Sequence, residues 1–207
     1  VAQLLDRQQI VSDCPVPIVA CDTFIPPVAA DWTNPSATAP AFDPEEAGTI
    51  LSAFPAIADA DGEERPVTIL TPLREASPAA WLTGESLTDA IRESGITTRH
   101  VAAPEAYLVR MAMRDRRFDI YVGEITLAPI PFGLYPLLHS SRDQTWTSAY
   151  SGMRDEGLDA ALEGLWFGTD RQEVRKAALD AQSRLQSLLP YVPVCTRPDR
   201  MLVADGW

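Results

Sequence analysis

The chain has 207 residues, of which 46% are hydrophobic and 22% are charged. This composition is close to the globular average, which excludes a disordered chain or a coiled coil. Seventeen basic against 29 acidic residues give a net charge of -12, and such a surface repels phosphate backbones and anionic lipid head groups. We therefore expect no nucleic-acid partner. No apolar run in the sequence reaches the ~18 residues that are needed to span a bilayer.

The N-terminal part of the chain alternates between helical and irregular patterns. Apolar spacing predicts a helix over Val1–Ser12, whereas residues 14–40 follow neither helical nor strand periodicity and are rich in Pro, Ala, Asp and Thr. The next helix begins at Asp43, whose carboxylate can cap free amides, followed by Pro44 at the first helical position. Its buried face is predicted to consist of Ala47, Ile50, Leu51 and Phe54.

The central part predicts a parallel sheet. Strands over Val67–Thr71, Thr97–Val101 and Phe118–Val122 alternate with helices over 78–94 and Pro104–Arg116, the first of which stops at Gly95. Short connections between alternating strands and helices favour right-handed crossovers onto one parallel sheet. The sequence therefore predicts an α/β fold.

The C-terminal part is predicted to be mainly helical. An irregular Pro-rich segment over Glu124–Pro136 precedes helices over Leu158–Trp166 and Thr169–Leu189. Thr169 and Gln172 have the spacing of a capping box, and Pro190 ends the helix. Closing strands are predicted over Tyr191–Thr196 and Met201–Ala204.

The sequence shows no arrangement of residues that is typical of an enzyme. It lacks the nucleophile elbow, the phosphate-binding glycine loops and the zinc-protease motif. Either His100 or His139 could act as a base, but neither has an identifiable nucleophile and orienting acid beside it. We expect both histidines to be hydrogen-bonded packing residues, and the protein not to be an enzyme or to need a cofactor.

The three cysteines, Cys14, Cys21 and Cys195, leave two alternatives open. They form no Cys-x-x-Cys pair and lie far in sequence from both histidines, so a zinc site has little support. One alternative is three buried free thiols. The other is one disulfide with a spare thiol, formed by Cys21 with Cys195 or by Cys14 with Cys21.

The stretch from Gly123 to Pro129 is the best candidate for a binding loop. It follows a predicted buried strand, and open α/β sheets bind ligands at the carboxyl ends of their strands. The carboxylate of Glu124 would then face a cleft, although capping of a loop amide or simple exposure explains it equally well.

Several segments resemble family 5 extracellular solute-binding proteins, the oligopeptide, dipeptide and nickel binders of ABC importers. The most specific match is the helix end Leu-Pro-Tyr-Val-Pro-Val at 189–194, followed by Arg-Pro-Asp at 197–199. The other segments, in chain order, are Leu5–Val11, Ile25–Pro27, Phe42–Ala47, Phe118–Leu127, Leu134–Ser140, Tyr150–Gly152 and Leu158–Asp159. These matches extend in order over nearly the whole chain.

The resemblance implies a particular fold and location. Residues 1–207 would form a single α/β lobe of a periplasmic-binding-protein-like fold (type II, cluster C), with a mixed sheet and flanking helices. The first lobe would be missing from this chain. The whole protein would be extracytoplasmic, either periplasmic or a cell-surface lipoprotein whose lipid anchor lies outside these residues.

The resemblance also implies a function: binding a small solute or oligopeptide and delivering it to an ABC permease. Ligand-facing residues would be Glu124, Ile125, Thr126, Tyr150 and Ser151. Peptide-binding members carry an aspartate in the loop that reads Ala128–Gly133 here, and this loop has no acid. The alternatives are a sensor or accessory domain that has lost its ligand, and a small α/β hydrolase.

Overall fold

The parallel sheet is present in a computed structural model, which describes residues 1–25, 27–53, 57–58, 62–108, 110–111, 115, 117–126, 131–142 and 152–197. Its central strand is β2 (Val67–Pro72), which pairs in parallel with β3 (Thr98–Ala103) on one side and with β4 (Ile120–Tyr121) on the other. Because helices cover both faces, β2 is a run of β-branched and apolar residues with Ile69, Leu70 and Thr71 fully buried. The α/β prediction is confirmed.

The connection from β2 to β3 is helix α3 (Pro78–Glu93), which packs on both strands. Ser77 caps its first turn by accepting a hydrogen bond from the amide of Ala80. After Glu93 the chain turns at Gly95, whose φ of 85° agrees with the predicted helix stop. A Cβ on Gly84 would lie 2.2 Å from Cγ2 of Thr71, so only glycine lets α3 approach the sheet this closely.

The helix predicted over 104–116 and the strand predicted over 118–122 are both shorter in the structure. Helix α4 (Glu105–Leu108) covers only the start of the predicted range, 104–116, and most of the remainder lies outside the described residues. Strand β4 is limited to Ile120–Tyr121 because its neighbours Asp119 and Val122 bond to β2 only through single amides.

The predicted N-terminal helix is divided in two. A 3-10 helix over Ala2–Leu4 is followed by α1 (Arg7–Asp13), because the side chain of Asp6 accepts from the amides of Gln8 and Gln9 and starts a new helix. Helix α2 (Pro44–Ser52) starts as predicted, with Asp43 accepting from the amide of Glu46 at 2.9 Å. Its predicted buried face is only partly correct, since Ala47 is buried but Ile50 is exposed, and Phe54 lies outside the described residues.

The C-terminal part packs three helices together. They are α5 (Leu134–Leu138), α6 (Glu156–Phe167) and α7 (Arg171–Leu188). The predicted cap of α7 at Thr169 is wrong, since the carboxylate of Asp170 accepts from Gln172 and Glu173 instead. Helix α5, which was not predicted, begins inside the Pro-rich segment and is preceded by a 3-10 turn over Pro131–Gly133. Its apolar residues Leu134 and Leu138 are buried against α6, which stabilises so short a helix.

A second sheet has two short antiparallel strands, which makes the sheet content mixed, as predicted. Strand β1 (Val19–Ala20) pairs with β5 (Cys195–Thr196), so β5 is shorter than the predicted strand over 191–196. Leu189 ends α7 in a left-handed conformation with φ of 48°. The predicted closing strand Met201–Ala204 lies outside the described residues.

The irregular segment over 14–40 is held by side chains from distant parts of the sequence. Gln182, fully buried on α7, accepts from the amide of Asn34 and donates to the carbonyl of Trp32 at 2.7 Å. The hydroxyl of Tyr191 donates to the carbonyl of Phe24 at 2.8 Å, and burial raises the pKa of this phenol. These bonds pair backbone groups that the segment cannot pair with itself.

The largest hydrophobic cores lie in two places. One is enclosed by α5, α6, α7 and residues 24–37, and the other lies between β2, α3, α2 and the N-terminal helices. A smaller cluster of Leu70, Ala103 and Leu108 covers the opposite face of the parallel sheet. None of the described helices combines the length and the hydrophobicity needed to cross a membrane.

Candidate functional site

Glu124 lies where β4 leaves the carboxyl edge of the parallel sheet. The amide of Val122 still bonds to the carbonyl of Leu70 on β2, and the chain then departs through Gly123. A Cβ on Gly123 would lie 2.5 Å from the hydroxyl oxygen of Tyr121, so glycine allows this ring to lie over the loop. The loop is thereby directed past the end of β2, where helix α3 begins.

The carboxylate of Glu124 contacts the start of helix α3. The hydroxyl of Ser77 donates to its Oε1 at 2.5 Å, while the same serine oxygen accepts from the amide of Ala80. Ser77 is 5% exposed, whereas the side chain of Glu124 is 47% exposed. A buried hydroxyl therefore fixes one carboxylate oxygen and leaves the rest of the group at the surface.

Arg197 approaches the same carboxylate from a third direction. It follows β5, and its Nη2 lies 3.7 Å from Oε2 of Glu124. Its side chain is 55% exposed, so the ion pair faces solvent. We call Ser77, Glu124 and Arg197 the Glu124 cluster. It is formed by the ends of β4 and β5 and the start of α3.

The start of β4 is fixed by a second, more buried carboxylate. Asp119 accepts from both terminal nitrogens of Arg65 at 2.6 and 2.7 Å and from the amide of Thr68 at 2.8 Å. The hydrogen bond from Arg65 is the main reason why the pKa of Asp119 is lowered, and the Thr68 amide adds to the effect against the opposing cost of burial. This clamp sets the register of β4 and so the position at which Glu124 emerges.

The structure brings together only part of the predicted ligand-facing set. Glu124, Ile125 and Thr126 are consecutive and exposed. Ile125 is apolar, and 48% of its surface is accessible to solvent. Tyr150 and Ser151 lie outside the described residues, as do positions 128–130 of the loop that lacks an acid. Sequence reasoning missed Ser77 and Arg197. Ser77 was recognisable only as the residue before a helix-starting proline.

All three cysteines are free thiols in the structure, so neither of the two possible disulfides, Cys21 with Cys195 or Cys14 with Cys21, is formed there. The strand register gives the reason for the first pair. Cys195 lies opposite Ala20, and the amide of Cys21 bonds instead to the carbonyl of Val194, so Cys21 and Cys195 occupy neighbouring positions whose side chains alternate in direction. Burial raises the pKa of Cys195 to about 11, with smaller contributions from Cys14, Glu124 and Cys21.

The two histidines lie away from the Glu124 cluster. Nε2 of His100 is 2.8 Å from Oγ1 of Thr71, the ring packs against Trp81, and burial lowers the pKa of the imidazole. His139 is buried between α5 and α6, where its Nε2 lies 3.3 Å from Oε1 of Glu163.

Ser141 contacts the other ring nitrogen of His139. The amide of Ser141 donates to Nδ1 at 3.1 Å, and the Ser141 hydroxyl lies 2.8 Å from the same atom. Nδ1 is therefore an acceptor, and the proton of a neutral ring is on Nε2, facing Glu163.

The described residues contain no cluster of three or more His, Cys, Asp or Glu side chains suited to a metal ion. Two open surface grooves, of about 600 and 480 Å³, lie elsewhere, one between α6 and α7 and one beside Trp32 and Phe132. We place the candidate site at the Glu124 cluster because two opposite charges and a buried hydroxyl, from three elements, meet there at a sheet edge that ligands commonly use.

No protein-family model matches the sequence, and no curated protein matches it. Solved structures do match. The dipeptide-binding protein of Pseudoalteromonas sp. SM9913, in complex with Met-Leu, has 19% identity and a TM-score of 0.77 over 94% of this chain and 38% of its own. AppA from Bacillus subtilis, in complex with a nonapeptide, has 18% identity and a TM-score of 0.73, with 94% and 40% covered.

NikZ from Campylobacter jejuni, in complex with Ni(L-His), has 17% identity and a TM-score of 0.67, again over 94% of this chain and 40% of its own. The chain thus spans about two fifths of the length of these structures. At such identities the similarity is one of fold. The chain therefore has the fold of one lobe of a periplasmic binding protein of the peptide- and nickel-binding type.

Proposed function

We propose that this chain is the ligand-binding lobe of an extracytoplasmic solute-binding protein, which delivers a peptide or another small solute to an ABC permease. The observation that supports this most directly is the convergence of Ser77, Glu124 and Arg197 at the carboxyl edge of the parallel sheet. In open α/β sheets this edge is where ligands are bound. Residues 1–207 would supply one wall of the cleft, and a further lobe of the complete protein would supply the other.

Ligand binding would close the two lobes around the solute, by the hinge motion known for periplasmic binding proteins. The half-exposed Glu124 and the exposed Ile125 and Thr126 would contact the ligand. Tyr150 and Ser151 are proposed as further contacts. The protein would act outside the cytoplasm, and it would release its ligand unchanged.

The test is a thermal-shift screen of the complete protein against peptides, nickel chelates and sugars. We expect one class to raise Tm, and Glu124→Gln to weaken that binding at least tenfold. Glu93→Gln is the matched control, because Glu93 is exposed on α3 away from the Glu124 cluster. If none of these classes shifts Tm, the proposal fails and a ligand-free sensor or accessory domain of the same fold becomes the better explanation.

A hydrolase is the second candidate function, because Ser141, His139 and Glu163 form a serine–imidazole–carboxylate chain of contacts. Against it, His139 already accepts the amide of Ser141, and Asp159 accepts the amide of Ser140 at 2.9 Å. Neither amide is free to stabilise an oxyanion. Treatment with a fluorophosphonate and mass spectrometry decides: covalent labelling of Ser141 would support the hydrolase, and an unlabelled protein would exclude it.

A further inference from the structure

The Glu124 cluster presents two opposite charges side by side. Glu124 and Arg197 are each about half exposed, with Oε2 and Nη2 3.7 Å apart. We infer, on the basis of the proposed function, that the ligand is a zwitterion whose two charged groups are attached to the same carbon, as in a free α-amino acid. Its ammonium would meet Glu124 and its carboxylate would meet Arg197.

The ion pair leaves bonding capacity for a ligand on both partners. A charge-assisted N–H···O bond is typically about 2.7–2.9 Å long, so a separation of 3.7 Å is an ion pair without a full hydrogen bond. A carboxylate has roughly four acceptor positions, and Ser77 uses one of those on Glu124. A guanidinium has five N–H donors. Among the described residues Arg197 forms an ion pair with Glu124 through Nη2, so its other N–H groups can donate to a ligand.

Proximity of the two charges sets the selectivity. A ligand with only an ammonium group would approach Glu124 but would be repelled by Arg197 a few ångströms away. A ligand with only a carboxylate would be repelled by Glu124 in the same way. A peptide carries its charges at opposite ends, so only one of them could reach the pair. Adjacent opposite charges on the ligand satisfy both side chains at once.

Ser77 is a positioning residue in this scheme. Its hydroxyl is held by its place at the start of α3 and keeps Oε1 of Glu124 at 2.5 Å, which orients Oε2 toward Arg197. Ser77→Ala removes this restraint without removing a charge. We expect it to reduce the preference for zwitterions, and Ser77→Thr to restore it, whereas loss of a purely structural cap would lower Tm without changing the preference.

The experiment screens the twenty L-amino acids against the complete protein by thermal shift. Calorimetry then compares the best binder with its amide, which is only cationic, and with its N-acetyl derivative, which is only anionic. We expect the amino acid to bind at least tenfold more tightly than either derivative. Arg197→Ala should remove the preference over the amide, and Glu124→Gln the preference over the N-acetyl derivative.

Several other results of this experiment would contradict the inference. Equal affinity for the amino acid and either derivative overturns it, as do unchanged ratios in both variants. A screen in which a peptide or chelate raises Tm but no amino acid does so overturns the inference and leaves the proposed function standing. A screen in which no compound of any class raises Tm contradicts the proposed function itself.

Discussion

Asp119 shows how one side chain can position a binding loop without touching a ligand. Asp119 directly precedes β4, and its carboxylate accepts hydrogen bonds from Arg65 and from the amide of Thr68, four positions before the exposed loop begins. Asp119 is largely buried and its geometry is bidentate, the arrangement in which an ion pair contributes most. The exposed ion pair between Arg92 and Asp89 has the same charges but lacks this burial.

We expect Asp119→Asn to lower the free energy of unfolding by about 1.5–3 kcal/mol at pH 7, the usual loss for hydrogen bonds to a charged group. The folded-state pKa of Asp119 is lowered, so its stabilisation is fully present above the ordinary aspartate pKa of about 3.9 and is lost as the pH falls through the folded value. Urea unfolding from pH 7 to pH 2.5 should therefore show the two proteins converging at low pH.

The control for this measurement is Asp89→Asn, which removes the exposed ion pair with Arg92. It should change the free energy of unfolding by less than about 0.5 kcal/mol at every pH. A difference between wild type and Asp119→Asn that persists undiminished at pH 2.5 would show that packing, and not charge, is responsible.

At the scale of elements, the sequence predicted correctly those features that depend only on nearby residues. The strand over 67–71, the cap at Asp43 and the stop at Gly95 all depend on local chemistry. Helix α5 was not predicted because two prolines and a glycine precede or interrupt it, and its stability comes from burial against α6.

The candidate site was predictable only in part, for a similar reason. Glu124 follows a strand in sequence, so the rule that ligands bind at strand ends identifies it. Ser77 and Arg197 lie 47 residues before it and 73 after it, and the fold alone brings them to the same carboxylate. The sequence left the pairing of the cysteines open for the same reason, because strand register decides which side chains can meet and sequence spacing does not contain it.

Helix α7 offers a test of how a helix fixes an irregular segment. Gln182→Leu would leave the amide of Asn34 and the carbonyl of Trp32 without their partner in a buried place. We expect a loss of about 1–3 kcal/mol in the free energy of unfolding, measured by urea denaturation. Gln186→Leu, at an exposed position of the same helix, should stay within about 0.5 kcal/mol of wild type. Equal effects of the two changes would contradict the proposed role of Gln182.

On the scale of the whole molecule, Arg7 joins the two ends of the described chain. Its Nε donates to the carbonyl of Pro193 at 3.0 Å and its Nη1 to that of Pro40 at 3.1 Å, while its Nη2 is buried without a partner among the described residues. Desolvation lowers the pKa of this guanidinium, against the opposing influence of Asp22 and Cys21. Arg7 thus connects α1, the irregular segment and the residues that lead into β5.

Arg7→Met should remove both bonds and leave two carbonyls without their charged donor. We expect the free energy of unfolding to fall by about 1.5–3 kcal/mol, the range for hydrogen bonds to charged groups. Arg175→Met is the matched control, because Arg175 also donates to a backbone carbonyl, that of Asp31 at 2.8 Å, but at an exposed position. Its cost should be below about 0.5 kcal/mol. An unfolding midpoint in urea that is the same for both variants would refute this difference.

The bond from Arg7 to Pro193 spans 186 residues, and this separation affects how the protein is made. At translation rates of roughly 5–20 residues per second, helix α1 would wait about 10–40 s on the ribosome before its partner is synthesised. During that interval the core around Leu4, Leu5 and Ile10 lacks Val192, Val194 and Cys195, which pack against it in the folded protein. A chaperone that shields nascent chains should therefore be able to bind the segment around α1 until those residues are made.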